Sequence, residues 1–204
     1  MWTSWSDHTG NPGMKTLVVG LGNPILGDDG VGWRVAEMVG EQLGAARAGP
    51  GNDANPSPPT CCRSPVEVDC LAVGGLALME RLVGYDRVIL ADALVTGRHP
   101  LGTVLCVPLE ELPNRALGHL GSAHDTTLHN ALQVGRSIGA QLPDDITVVG
   151  VESRNVYDFS EDLTPMVAAA VPKAVQVVMA LLSGSPATAG LIHQYKEAGL
   201  LARQ

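Results

Sequence analysis

Apolar and polar positions follow two rhythms along this chain, and the switches between them divide it into short strands and amphipathic helices. Leu17, Val18 and Val19 form an unbroken apolar run that reads as a buried strand. After a glycine-rich stretch, Val31, Val35, Met38 and Val39 recur at helical spacing. Residues 66–70 predict a second strand, 74–83 a short helix carrying Leu76, Leu78, Met79 and Leu82, and 87–93 a third strand. Residues 103–107 predict another strand, and its Gly102 start and Pro108 end place it at a sheet edge. Residues 126–138 have helical spacing through Leu128, Leu132 and Val134, with Asp125 or Thr126 as the expected cap. Residues 146–151 are continuously apolar between Asp145 and Glu152, as a central strand requires. The last helix opens at Thr164-Pro165, with Thr164 as cap and proline in the first turn, and runs toward Leu182. Pro172 is expected to bend it.

Strands alternating with helices predict an α/β fold: a three-layer sandwich in which a twisted, mainly parallel sheet of about five strands carries helices on both faces. Residues 14–184 read as one domain. Residues 1–13 are expected to be a disordered extension, 44–65 a long Pro/Gly-rich surface loop and 185–204 a tail. A chain of 204 residues with 45% apolar content can bury one sizeable core. Its formal net charge of −8 argues against nucleic acid as a partner, because phosphate neutralisation needs clustered lysine and arginine. The four cysteines, Cys61, Cys62, Cys70 and Cys106, contain no C-x-x-C pair. Neither a disulfide framework nor a zinc ribbon follows, and a reducing cytoplasm is expected. No apolar stretch is read as long enough to span a membrane, so no membrane partner is expected. A monomer is expected.

Chemistry concentrates in residues 20–32, Gly-Leu-Gly-Asn-Pro-Ile-Leu-Gly-Asp-Asp-Gly-Val-Gly, which join the first strand to the first helix. Ligands of open α/β sheets bind at the carboxyl ends of strands, and this turn places Asp28 and Asp29 there. Asp92 follows the apolar run 88–91 and belongs at a strand's carboxyl end too, so Asp29 and Asp92 can approach across neighbouring strands. His124 precedes a predicted helix and would face the same rim. Two carboxylates and one imidazole make a mixed, incomplete ligand set with open positions, suited to a borderline divalent ion such as nickel or zinc. Asp28 fits a helix cap as well as a site residue. Asp69, at the carboxyl end of the second strand, carries the same ambiguity.

These residues resemble the hydrogenase maturation endopeptidases over most of residues 15–182. The resemblance rests on Val19-Gly20-Leu21-Gly22-Asn23 with Asp28-Asp29-Gly30-Val31-Gly32, then Ala91-Asp92-Ala93, Ser122-Ala123-His124-Asp125, Val149-Gly150-Val151 and Leu163-Thr164-Pro165. It implies a protease that trims the carboxyl end of the large-subunit precursor of a nickel–iron hydrogenase once nickel is loaded. Asp29, Asp92 and His124 would contact that nickel, which the substrate presents, and Asp29 or Asp92 would assist catalysis. Asn23, Asp28 and Asp69 are carried over as substrate contacts. One departure stands out: the family's Asp-Gly-Gly-Thr pattern is replaced by Asp69-Cys70-Leu71-Ala72-Val73-Gly74-Gly75.

Three rival readings are weaker. A nickel-sensing chaperone that binds the same precursor without cutting it needs the same residues. Peptidyl-tRNA hydrolases share the Gly-Leu-Gly-Asn-Pro opening but need a histidine soon after it, and none occurs between His8 and His99. A dinucleotide-binding oxidoreductase needs a third glycine where Ile25 stands.

Overall fold

Five strands assemble in the order β2-β1-β3-β5-β4 in the computed structural model, which describes residues 14–47, 66–112 and 127–184. β1 (Thr16–Leu21), β2 (Val66–Leu71), β3 (Arg87–Leu94) and β5 (Asp145–Glu152) run parallel, whereas β4 (Val104–Pro108) pairs antiparallel with β5 at one edge. Proline terminates β4 where no further ladder partner is needed. The expected α/β sandwich is thus observed, with its edge strand reversed.

The pleat explains the layers. Leu17, Val19 and Leu21 on β1 and Val88, Leu90 and Leu94 on β3 face α2 (Gly75–Leu82) and α3 (Leu128–Ser137). Val18 on β1 and Ile89, Ala91 and Ala93 on β3 face α1 (Val31–Arg47) and α4 (Pro165–Ser183). Both faces are covered, so β3 and β5 are apolar on successive residues rather than on alternate ones. Each fully buried leucine of these two clusters contributes about 2 kcal/mol through area removed from water.

Four local expectations change. α1 continues to Arg47, four residues into the stretch read as loop. Leu76 and Val134, counted with the apolar faces of α2 and α3, are 47% and 48% exposed, because Leu78, Met79 and Leu82, and Leu128, Ala131 and Leu132, already fill those faces. The α3 cap is Thr127, whose Oγ1 accepts from Asn130 N at 3.3 Å. α4 is long and apolar enough to cross a membrane by length and composition, with mean hydropathy 1.8, contrary to the sequence reading. Its Val167, Val171, Val175 and Val178 nevertheless lie in the core, against α1 and the sheet. The helix runs on through Pro172, which sits on its exposed side, and ends at Gly184 in the left-handed conformation.

Candidate functional site

The carboxyl end of β1 turns sharply because Gly22 adopts φ +123°, a conformation that a side chain would strain. Its amide still donates to Leu71 O of β2 at 3.1 Å, so the turn leaves from a fixed point. The chain then closes on itself: Asn23 Oδ1 accepts from Ile25 N at 3.2 Å, and Leu26 N donates to Asn23 O at 3.0 Å. A 3-10 turn, Gly27–Gly30, follows and carries both aspartates into α1. Asn23 N donates to Asp29 Oδ2 at 2.6 Å, a short charge-assisted bond that fixes the carboxylate against the loop that precedes it. Asp29 is 2% exposed.

Asp92 stands on the neighbouring strand. Its Oδ1 accepts from Ala93 N at 2.8 Å, and the residue is 1% exposed. It shares the parity of Leu90 and Leu94, which places it on the face covered by α2 and α3. The 3-10 turn lies against β3, and Gly32, at the start of α1, sits so tightly over the sheet that a Cβ there would meet Leu21 O at 2.2 Å and Ala91 O at 2.3 Å. The fold therefore brings the turn of Asp29 and the strand of Asp92 to one rim, as the sequence suggested. His124 lies outside the described residues. Among those described, no three His, Cys, Asp or Glu side chains converge as a metal cluster.

Asp28 has a different occupation. Its two oxygens accept from Thr164 N at 2.7 Å and Thr164 Oγ1 at 3.0 Å, and it is fully buried. A carboxylate 136 positions away thus satisfies the start of α4, where backbone donors and the helix dipole favour an anion. Asp28 therefore has a structural role, and the Thr164 hydroxyl points to it rather than to its own helix. Asp28→Ala leaves those donors without their acceptor, so an unfolding free energy lowered by about 3 kcal/mol is expected from denaturant titration. A change below about 0.5 kcal/mol would contradict that role.

Asp69 is also engaged. Its Oδ2 pairs with Arg81 Nε at 2.8 Å and its Oδ1 accepts from Cys70 N at 2.9 Å. Arg81 further bonds Tyr85 Oη at 2.7 Å and Glu67 at 3.1 Å, so the group braces β2 against α2. The Tyr85 and Asp69 hydrogen bonds push the Arg81 pKa up. Burial, followed by the Glu37 and Asp69 charges, pushes the Cys70 thiol up to about 11. At neutral pH it is a protonated thiol and a poor nucleophile.

Glu152 escaped the sequence reading. It is 1% exposed, and its Oε1 accepts from Thr96 N at 3.0 Å and Gly97 N at 2.7 Å, while Oε2 accepts from Thr96 Oγ1 at 2.7 Å. It holds the turn that leaves β3 just beyond Asp92. The available signal was the one used for Asp92, an acid closing an unbroken apolar run.

Comparisons with known proteins converge on one family. The family model described as hydrogenase maturation protease matches residues 71–181, a span that includes Asp92. The hydrogenase 2 maturation protease of Escherichia coli K12 is 27% identical over 172 residues, covering 84% of this chain and 93% of that protein. Among solved structures, the hydrogenase maturating endopeptidase HybD from E. coli superposes with a TM-score of 0.58 at 26% identity, covering 85% of this chain and 94% of the other. The [NiFe] hydrogenase maturation protease HybD of Thermococcus kodakarensis has the same fold, with a TM-score of 0.57 at 20% identity over 83% of this chain and 99% of its own. Since the family match takes in more than half of its residues, the chain belongs to the hydrogenase maturation proteases and is an endopeptidase that hydrolyses peptide bonds.

Proposed function

We propose that this endopeptidase removes the carboxyl-terminal extension of the nickel-loaded large-subunit precursor of a nickel–iron hydrogenase, and that Asp29, Asp92 and His124 recognise the nickel. The observation that carries this reading is the placement of two buried carboxylates, Asp29 and Asp92, at one rim of the sheet. Support for His124 comes from position: Thr127 caps α3, three residues beyond His124, and α3 covers the face that Asp92 shares.

Nickel is here part of the substrate. Two carboxylates and an imidazole form an incomplete set that holds a free divalent ion weakly, yet can complete the coordination of an ion already bound by substrate thiolates. Cleavage thereby becomes conditional on loading. A carboxylate of the pair takes the proton of the attacking water while the water oxygen adds to the scissile carbonyl, and that proton then passes to the departing amine.

Incubating the protein with nickel-loaded and nickel-free precursor, followed by intact-mass spectrometry, tests the reading. Loss of the tail is expected in the loaded sample alone. An unchanged mass in the loaded sample would refute processing of this precursor, and equal loss in both samples would refute recognition through nickel.

A further inference from the structure

The loop between β5 and α4 is fastened to the turn that carries Asp29. Asp28 N donates to Asn155 O at 3.0 Å, Gly27 N to Ser160 O at 2.7 Å, and Ser160 N to Ile25 O at 3.1 Å. Leu26 and Ser160 form a parallel bridge, and Val156, 3% exposed, anchors the loop in the core below α4. This pinning turns the two aromatic residues outward: Tyr157 is 79% exposed and Phe159, the chain's single phenylalanine, is 87% exposed. Ile25, on the partner turn, is 47% exposed. Three large apolar side chains are thus presented to solvent on two segments whose backbones are hydrogen-bonded to each other.

We propose that Tyr157, Phe159 and Ile25 form the docking platform for the polypeptide that is cut, seating apolar side chains of the precursor segment that runs into the Asp29–Asp92 rim. The proposal deepens the function argued above and rests on it. Continuity favours a substrate segment over any other occupant, because the same hydrogen bonds that hold the platform hold the catalytic turn. Charge narrows the partner further. Asp158, Glu161 and Asp162 are exposed on the same loop, against its single cation Arg154, so the segment that fits combines apolar with basic side chains. The platform is preorganised, which limits the ordering cost of binding an extended chain.

Steady-state processing of nickel-loaded precursor by Tyr157→Ala/Phe159→Ala is the test. Buried aromatic anchors dominate interfaces, so KM is expected to rise about tenfold. With the transition-state contacts untouched, kcat should stay within about twofold. Phe159→Leu, which keeps an apolar side chain, should recover most of the loss. Neutralising Asp158, Glu161 and Asp162 together should raise KM at low salt and lose that effect at high salt. A wild-type KM in the double variant would overturn the platform, and so would a loss of kcat at constant KM, which would make the loop a brace for the Asp29 turn. Precursor affinity, measured by titration against Asp29→Asn with and without the double substitution, separates this proposal from the function itself. If the wild type cuts nothing, the function fails, and an unchanged affinity would then remove the platform as well.

Discussion

Asp92→Asn and Asp29→Asn are each expected to leave a folded protein that processes nickel-loaded precursor about a thousandfold more slowly, since general-base assistance alone contributes on the order of 10²–10⁴. The substitution is nearly isosteric. In Asp92→Asn the amide oxygen can still accept from Ala93 N, and in Asp29→Asn it can still accept from Asn23 N, so the local backbone keeps its partners. What disappears is the negative charge that would take a proton or meet a cation. Rate by mass spectrometry and melting by circular dichroism read the two effects separately. Normal processing by both variants would remove this pair from the mechanism. Asp28 supplies the internal control: its carboxylate is taken up by Thr164, so its loss lowers stability, and any loss of rate should be recovered at low temperature.

The contrast between adjacent aspartates shows what the sequence could and could not reveal. β1, β3 and β5 are mostly apolar runs, and the helical spacing in α1 and α4 is strong, so the layers and the rim that holds Asp29 and Asp92 were legible locally. The partner of Asp28 was not, because Thr164 lies 136 positions away and no local pattern reports such a contact. The order β2-β1-β3-β5-β4 was hidden for the same reason, since it is fixed by pairings between strands far apart in the chain. Leu76 and Val134 are apolar but lie out of phase with the buried faces of their helices. α4 carries a membrane-like composition because a helix wedged against both α1 and the sheet needs apolar residues over much of its circumference. Nothing local in the sequence marks Tyr157 and Phe159; the hydrogen bonds from their loop to residues 25–28 are long-range contacts.

Gly22→Ala is expected to join the stability and activity effects in one variant, with a loss of at least about 3 kcal/mol and roughly a hundredfold in processing at a temperature where the protein is still folded. The reason is geometric. A Cβ at Gly22 would lie 1.9 Å from Asp29 O, a backbone atom that no rotamer change can withdraw, and φ +123° is strained for any side chain. Relief requires moving the 3-10 turn, and with it the Asp29 carboxylate, away from β3. A displacement near 1 Å is enough to misalign a reacting group. Gly44→Ala offers the matched comparison, since Gly44 is an exposed α1 residue with nothing within 4 Å of its Cβ position. That substitution should stabilise the protein by about 0.5–1 kcal/mol and leave the rate untouched, as a helix-interior glycine replaced by alanine does. Chemical denaturation and precursor processing on the two variants measure both. Equal stability and equal rates for Gly22→Ala and Gly44→Ala would mean that the close approach between Gly22 and Asp29 does not position the Asp29 turn.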